Sequence, residues 1–146
     1  MLTFGAAANS AQSSPKITTL PRADKSYLPL ETIKLTPAYA EIVLRRAELE
    51  SELESLLVGY TEEFPKVKET RYEMDTLKRE FSRLSSVKPL EMAKLTSALG
   101  KLLVRRATLE TDLWSLRQKY DDNHTDVKRA KRRMEIYETA VRSILD

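Results

Sequence analysis

The apolar residues between positions 95 and 120 recur at intervals that alternate between three and four residues. They form one seam, interrupted only by Arg106, of Leu95, Leu99, Leu102, Leu109, Leu113, Leu116 and Tyr120. This spacing is the a/d pattern of a helix that packs lengthwise against another helix. The pattern recurs sixty residues earlier at Leu35, Tyr39, Ile42, Arg46, Leu49, Leu53, Leu56 and Tyr60. The sequence therefore predicts one helical unit that occurs twice.

The duplication covers most of the chain. Residues 27–86 align with residues 87–146 without a gap and share 19 identities in 60 positions. The two copies open with PLETIKLT and PLEMAKLT. Ungapped similarity of this length indicates an internal repeat. We expect a tail at 1–26, a first helical hairpin at 27–86 (repeat one) and a second at 87–146 (repeat two).

Each repeat is predicted to begin with a long helical arm. Thr36 and Pro37 form an N-cap and first-turn pair, which predicts a short helix, a break, and a main helix to about Tyr60. Repeat two has Ser97 in place of the proline. Its first helix is therefore expected to run unbroken from Pro89 to Tyr120.

A turn and a second arm follow in each repeat. Pro65 in one copy and DDNHTD (121–126) in the other disfavour helix at the same offset. A second apolar seam comes next, at Val67, Thr70, Met74, Leu77, Phe81 and Leu84, and at Val127, Ala130, Met134, Tyr137, Val141 and Ile144. The predicted fold is all-α, two tandem helical hairpins in an antiparallel coiled-coil or four-helix arrangement. Because the heptad phase does not slip across the turn, a continuous helix kinked at Pro65 is the alternative.

The tail at 1–26 has no helical period and is predicted to be disordered or extended. Its start, MLTFGAAANSAQSS, is similar to the end of a secretory signal with a cleavage point near Ala11, although it lacks a charged leading region. An ordinary flexible tail is the alternative. We favour a periplasmic or secreted location over a cytoplasmic one. No stretch approaches the ~20 apolar residues that span a bilayer.

The net charge of +3 is unevenly distributed, with +2 on residues 1–26, −3 on repeat one and +4 on repeat two. Copies of one unit begin with equal charges, so this divergence predicts two surfaces that face each other, within the chain or between neighbouring chains. Random drift is the alternative explanation.

Composition argues against most catalytic chemistry. The chain has no cysteine, three glycines and one histidine, His124, which disfavours disulfides, thiolate or multi-histidine metal sites and glycine-rich phosphate loops. His124 is interpreted as a polar turn residue. We predict no catalytic, cofactor-binding or metal-binding residue, and a protein that is not an enzyme.

Three residues on or beside the seams are candidates for interaction, together with the turn residues Tyr60, Tyr120 and His124. Arg46 and Arg106 occupy core positions, where an arginine either packs its stem and extends its guanidinium to a glutamate or fixes the helix register. Trp114 replaces Glu54 of repeat one and is expected to pack one hairpin on the other.

A basic run is the candidate for binding an anionic partner. It consists of Lys128, Arg129, Lys131, Arg132 and Arg133. Such a cluster can bind phosphate on nucleic acid or lipid. An acidic run at Glu48, Glu50, Glu52 and Glu54 is available to face it. Because few aromatic residues interleave the cations, nucleic acid is the less favoured partner.

The segment RRATLETDLWSLRQKYDDNHTDVKRAKRRM (105–134) resembles the coiled-coil hairpin of bacterial polysaccharide co-polymerases, the chain-length determinant proteins and their associated exopolysaccharide tyrosine kinases. In that family a Leu-rich arm leads to Tyr, His-Pro and Val or Met before a basic arm. The residues in common are Tyr120, His124 and Val127, and in repeat one Tyr60, Pro65 and Val67. The resemblance implies an extended, exported helical hairpin. We expect a helical scaffold of an envelope or secretion system that binds itself or another helical protein.

Overall fold

The computed structural model describes Thr3, Gly5 and residues 27–146, so the predictions for the tail lie outside the described residues. The described chain is all-α and contains no strand. Its helices are α1 (Leu30–Ile33), α2 (Pro37–Gly59), α3 (Pro65–Ser85), a 3₁₀ helix (Pro89–Lys94), α4 (Ser97–Arg117) and α5 (Thr125–Leu145). The predicted fold class is confirmed, because α2 with α3 and α4 with α5 form two tandem hairpins. None of these helices combines the length and apolarity needed to cross a membrane.

Both long first arms begin at a threonine cap. The hydroxyl of Thr36 accepts a hydrogen bond from the Tyr39 N–H at 3.3 Å, and the hydroxyl of Thr96 accepts one from the Leu99 N–H at 3.2 Å. The predicted break before α2 is confirmed, whereas the unbroken helix from Pro89 to Tyr120 is wrong. A threonine cap is enough to start a new helix without the help of a proline.

Aromatic stacking closes the turn of each hairpin. The ring of Tyr60 stacks on Phe64 with centroids 3.9 Å apart, and Tyr120 stacks on His124 at 4.0 Å. Helix α3 begins only at Pro65 and α5 only at Thr125. The alternative of a continuous helix through the turn is therefore wrong.

Helix α4 is the centre of the molecule and packs against α2, α3 and α5. It runs parallel to α2, with Ser97 at the start of α4 donating to Glu41 at 2.6 Å. The Ala38 N–H donates to the Leu95 carbonyl oxygen at 3.2 Å, which joins the two helix starts through the backbone. The hairpins therefore pack on each other in a four-helix arrangement instead of extending as separate arms.

The largest apolar cluster lies at this end of the molecule. Its buried members include Ile33, Ala38, Ile42, Leu84, Leu95, Leu99, Leu103 and Val141. Only some residues of the first seam of repeat one are buried in the apolar core. Leu35 is 86% exposed although Leu95, its counterpart in repeat two, is 2% exposed. Leu35 was expected in the core because its spacing fits the seam, but it lies in the link between α1 and α2, where its side chain is exposed.

Candidate functional site

An ionic network joins the two hairpins around Arg106. Its guanidinium donates to Glu80 on α3 and to Glu138 on α5, and it lies 3.3 Å from a carboxylate oxygen of Glu110. The side chain of Glu80 is only 1% exposed, and that of Arg106 is 18% exposed. Arg106 thus links three helices from a position where an apolar residue was expected.

Glu138 receives the largest number of donors in this network. Both terminal nitrogens of Arg83 donate to it at 3.0 Å, and Nε of Arg142 donates at 2.9 Å. The Arg83 hydrogen bonds, with the charge of Arg106, lower the pKa of Glu138 to about 2. In Glu80 the effect of burial exceeds that of the nearby arginines, so its pKa is raised.

Arg46 holds the same repeat position as Arg106 in a different environment. Its side chain is 58% exposed, and its Nε donates at 2.7 Å to Glu50 on the next turn of α2. No residue of another helix pairs with it in the described part of the chain. Arg46 therefore extends its guanidinium to a glutamate of its own helix, whereas Arg106 bridges helices.

Trp114 lies at the contact between the hairpins. Its ring stacks on Tyr72 of α3 with centroids 4.6 Å apart and planes 13° apart. The Tyr72 hydroxyl donates to Glu110 at 3.4 Å, and Arg79 donates to the same carboxylate at 2.6 Å. This contact is the hairpin-to-hairpin packing that the sequence predicts for Trp114.

The turn residues lie at the opposite end of the hairpins from the largest apolar cluster. Tyr60 and Tyr120 are exposed apart from the rings stacked on them. Nδ1 of His124 accepts a hydrogen bond from the Asp126 N–H at 3.2 Å and so caps α5. The structure does not bring these turn residues to the arginine network.

The basic run and the acidic run do not face each other within the chain. Arg129 pairs with Asp126, Lys131 with Asp122 and Arg132 with Glu135, all in repeat two. The acidic partners in repeat one are equally local, with Glu48 on Arg45, Glu50 on Arg46 and Glu52 on Lys66. Among the described residues no ion pair joins the two runs, so they do not meet within the chain, which was one of the two arrangements that the sequence left open. Lys128 and Arg133 are also exposed.

The sequence reasoning missed an uncovered face on α2. We call this the α2 outer face, and all its members are exposed: Ala40, Val43, Leu44, Ala47, Glu50, Ser51 and Glu54. Their counterparts on α4 are buried or half-buried: Gly100, Leu103, Val104, Ala107, Glu110, Thr111 and Trp114. Repeat one supplies much of that cover, since Ala107 packs with Leu49 and Leu77. The sequence signal is an apolar pair off the main seam in both copies, Val43-Leu44 and Leu103-Val104.

Compared with known proteins, the chain matches no family model, no curated protein and no solved structure. Function is therefore inferred from the geometry of these surfaces.

Proposed function

We propose that this chain is a non-enzymatic protein-interaction module, a helical scaffold that binds another helical protein through the α2 outer face. The observation that carries the proposal is the exposure of this face. Leu44 is 59% exposed and Val43 is also exposed, although the same positions of α4 are covered by a neighbouring hairpin. Apolar positions rimmed by charges are typical of interaction surfaces.

The shape of the face supports a helical partner. Each residue of the face has another member three or four positions away along α2, the spacing that a helix presents to a groove or to another helix. Within the chain, α4 uses the equivalent face in this way. A partner that packs like a neighbouring hairpin therefore fits the α2 outer face.

The resemblance of the hairpin turns to polysaccharide co-polymerases extends the proposal to a compartment. We assign the scaffold to a bacterial envelope or secretion system, with a periplasmic or secreted location. The stacked rings of Tyr60 on Phe64 and Tyr120 on His124 close two helical hairpin turns, which supports the helical hairpin that the resemblance implies.

Site-specific photo-crosslinking tests the interaction surface. A photoreactive amino acid at position 44 is expected to form covalent adducts with protein partners in intact cells. The matched control is position 90, because Leu90 is also an exposed leucine but lies on the 3₁₀ helix away from the face. Adducts at 44 that disappear when Val43 is changed to Asp support the proposal. Equal labelling at 44 and 90 overturns it.

The basic run supports a second candidate function, binding to an anionic surface such as nucleic acid or acidic lipid. All five cations are wholly or partly exposed, and the ion pairs they make are local and solvent-accessible. A salt titration against DNA and anionic vesicles tests this candidate. A steep loss of affinity with salt, abolished by neutralising the five residues but not Lys88 and Lys119, favours it over the first.

A further inference from the structure

The internal repeat shows how a second chain fits the α2 outer face. Repeat two packs on repeat one through one face of α4, and the same face of α2 is uncovered. The surface of repeat one against which α4 packs is formed by α2 and α3, and we call it the receiving surface. It is covered in repeat one, whereas its counterpart on α4 and α5 of repeat two is uncovered. Among the residues that the structure describes, each chain therefore has an exposed face of each kind.

We propose that the α2 outer face binds the α4–α5 face of a second copy of this chain, so that chains associate head to tail. We define the α4–α5 face by exposed Ala98, Lys101, Arg105, Arg129, Arg132, Arg133 and Ile136. The inference rests on the proposed function, because it names the partner of the surface already assigned. The contact between two chains would continue the packing that joins the two hairpins within one chain.

Burial at matched positions supports the receiving face. Thr76 lies one turn from both Tyr72 and Glu80, which contact α4, and is fully buried, whereas Ile136, which holds the same position in repeat two, is 56% exposed. Ala38 is buried against α4, whereas its counterpart Ala98 is exposed. A larger apolar side chain therefore stands uncovered in repeat two at the place where a neighbouring hairpin covers repeat one.

Charge complementarity supports the choice of a second copy. Within the chain, Tyr72 stacks on Trp114 across the hairpin contact. Glu54 of repeat one holds the position of Trp114, and Arg132 of repeat two holds the position of Tyr72. The same packing between two chains would place Arg132 of one chain against Glu54 of the next.

A second contact between the hairpins also has oppositely charged residues at the corresponding positions between chains. The Thr108 hydroxyl donates to Glu73 at 2.9 Å between the hairpins. Glu48 holds the position of Thr108 in repeat one, and Arg133 holds the position of Glu73 in repeat two. The same packing between chains would therefore join Glu48 to Arg133. An uncharged stacking pair and a neutral–charged hydrogen bond both become pairs of opposite charge. This agrees with the net charges of −3 on repeat one and +4 on repeat two, and with the absence of ion pairs between the two runs among the described residues.

The two interfaces differ at the start of the helices. Gly100 lets α4 approach α2 closely, and a Cβ atom there would lie 2.7 Å from the Ala38 carbonyl oxygen. The counterpart of Gly100 is Ala40, so the contact between chains must be wider at this end. The buried Glu80–Arg106 pair also has no equivalent, because Ala140 replaces the glutamate. The contact between chains is therefore weaker than the internal one and depends more on exposed charges.

A charge swap in the full-length protein tests the proposal. Sedimentation velocity over a concentration series should show wild-type mass that rises with concentration at low salt and falls as salt is added. Glu54→Arg and Arg132→Glu should each raise the self-association Kd by about tenfold or more. The double variant Glu54→Arg/Arg132→Glu should restore association, because the pair is opposite in sign again. Glu63→Arg and Lys88→Glu are matched controls outside both faces, and circular dichroism checks that every variant is folded.

Three outcomes would overturn head-to-tail pairing. They are a wild-type chain that stays monomeric at every concentration in low salt, single variants that associate normally, and a double variant no better than the single ones. A dimer through two copies of the α2 outer face would be recognised because Arg132→Glu would leave it intact. If crosslinking at position 44 captures only a different protein, the proposed function stands and this inference fails.

Discussion

At the scale of single residues, Arg106 and Arg46 show how one repeat position takes two roles. Arg106 compensates a glutamate that is almost fully buried, whereas Arg46 has only a solvent-exposed partner on its own helix. Removing one member of a buried pair leaves an uncompensated charge, which costs far more than losing a surface ion pair. The two arginines therefore form a matched pair for measurement.

Arg106→Met is expected to lower the free energy of unfolding by ~3 kcal/mol, because Arg83, at 3.4 Å, would be the one remaining partner of Glu80 among the described residues. Arg46→Met should change it by less than ~0.5 kcal/mol. Urea denaturation measures both. The double variant Glu80→Met/Arg106→Met should recover part of the loss, since it removes both charges. Equal losses for the two arginine variants would contradict this assignment of roles.

Glu138 should make stability depend on pH in acid. Its folded-state pKa of about 2 is lower than the ordinary value of 4.5, so the folded state favours the charged form. The resulting stabilisation, at most ~3 kcal/mol, is complete above about pH 4.5 and is lost as the pH falls towards 2. Glu80 opposes this trend, because its pKa is raised by burial.

Urea denaturation between pH 5 and pH 2 should therefore show a smaller loss of stability for Glu138→Gln than for the wild type. The variant should also be less stable at neutral pH, where the charged carboxylate binds Arg83. Glu135→Gln is the control, because it lies on the same helix with an exposed side chain. A wild-type slope unchanged in Glu138→Gln would assign the acid sensitivity to other carboxylates.

At the scale of helices, a single glycine lets α2 and α4 approach closely near their starts. A Cβ atom at Gly100 would lie 2.7 Å from the Ala38 carbonyl oxygen and 2.8 Å from the Ala38 Cα atom. Both are backbone atoms, so the helices must move apart to accept a larger residue. Gly59, near the end of α2, has no neighbour within 4 Å of the same position.

Gly100→Ala is expected to destabilise the protein by ~1–3 kcal/mol even though alanine favours helix by ~1 kcal/mol over glycine. Gly59→Ala should be neutral or stabilising. Thermal and urea denaturation of the two variants separate helix propensity from packing. Stabilisation by Gly100→Ala would mean that α2 and α4 are not in close contact in solution.

The sequence predicts the helices and turns better than it predicts which faces are covered. Period and capping residues place both hairpins, because helix formation depends on local spacing and on Thr36 and Pro65. The same spacing predicts a buried Leu35, and the lack of a proline at position 97 predicts a long helix through Thr96; both predictions are wrong. Residues at the same position in the two repeats have different neighbours. The face of α4 that corresponds to the α2 outer face is covered by the other hairpin, whereas the α2 outer face is exposed. The α2 outer face is therefore visible only when exposures are compared between repeats.

At the scale of the whole molecule, the hairpins are expected to depend on each other for folding. Glu80 and Ala107 are buried by contacts that cross from one repeat to the other. A repeat unit gains much of its stability from the interface with its neighbour, and a two-helix hairpin buries little apolar surface alone. The link between Ser86 and Val87 offers a place to separate the two repeats.

Fragments 27–86 and 87–146 should each show reduced helicity by circular dichroism and melt without cooperativity. Mixed in equal amounts, they should recover the helicity of residues 27–146 and a single transition, because the Glu80–Arg106 and Tyr72–Trp114 contacts reform between the fragments. Fragment 27–86 with Glu80→Met should recover less, which ties recovery to the native interface. If each fragment melts cooperatively alone at the temperature of the intact chain, the hairpins are independent domains and their packing contributes little to folding.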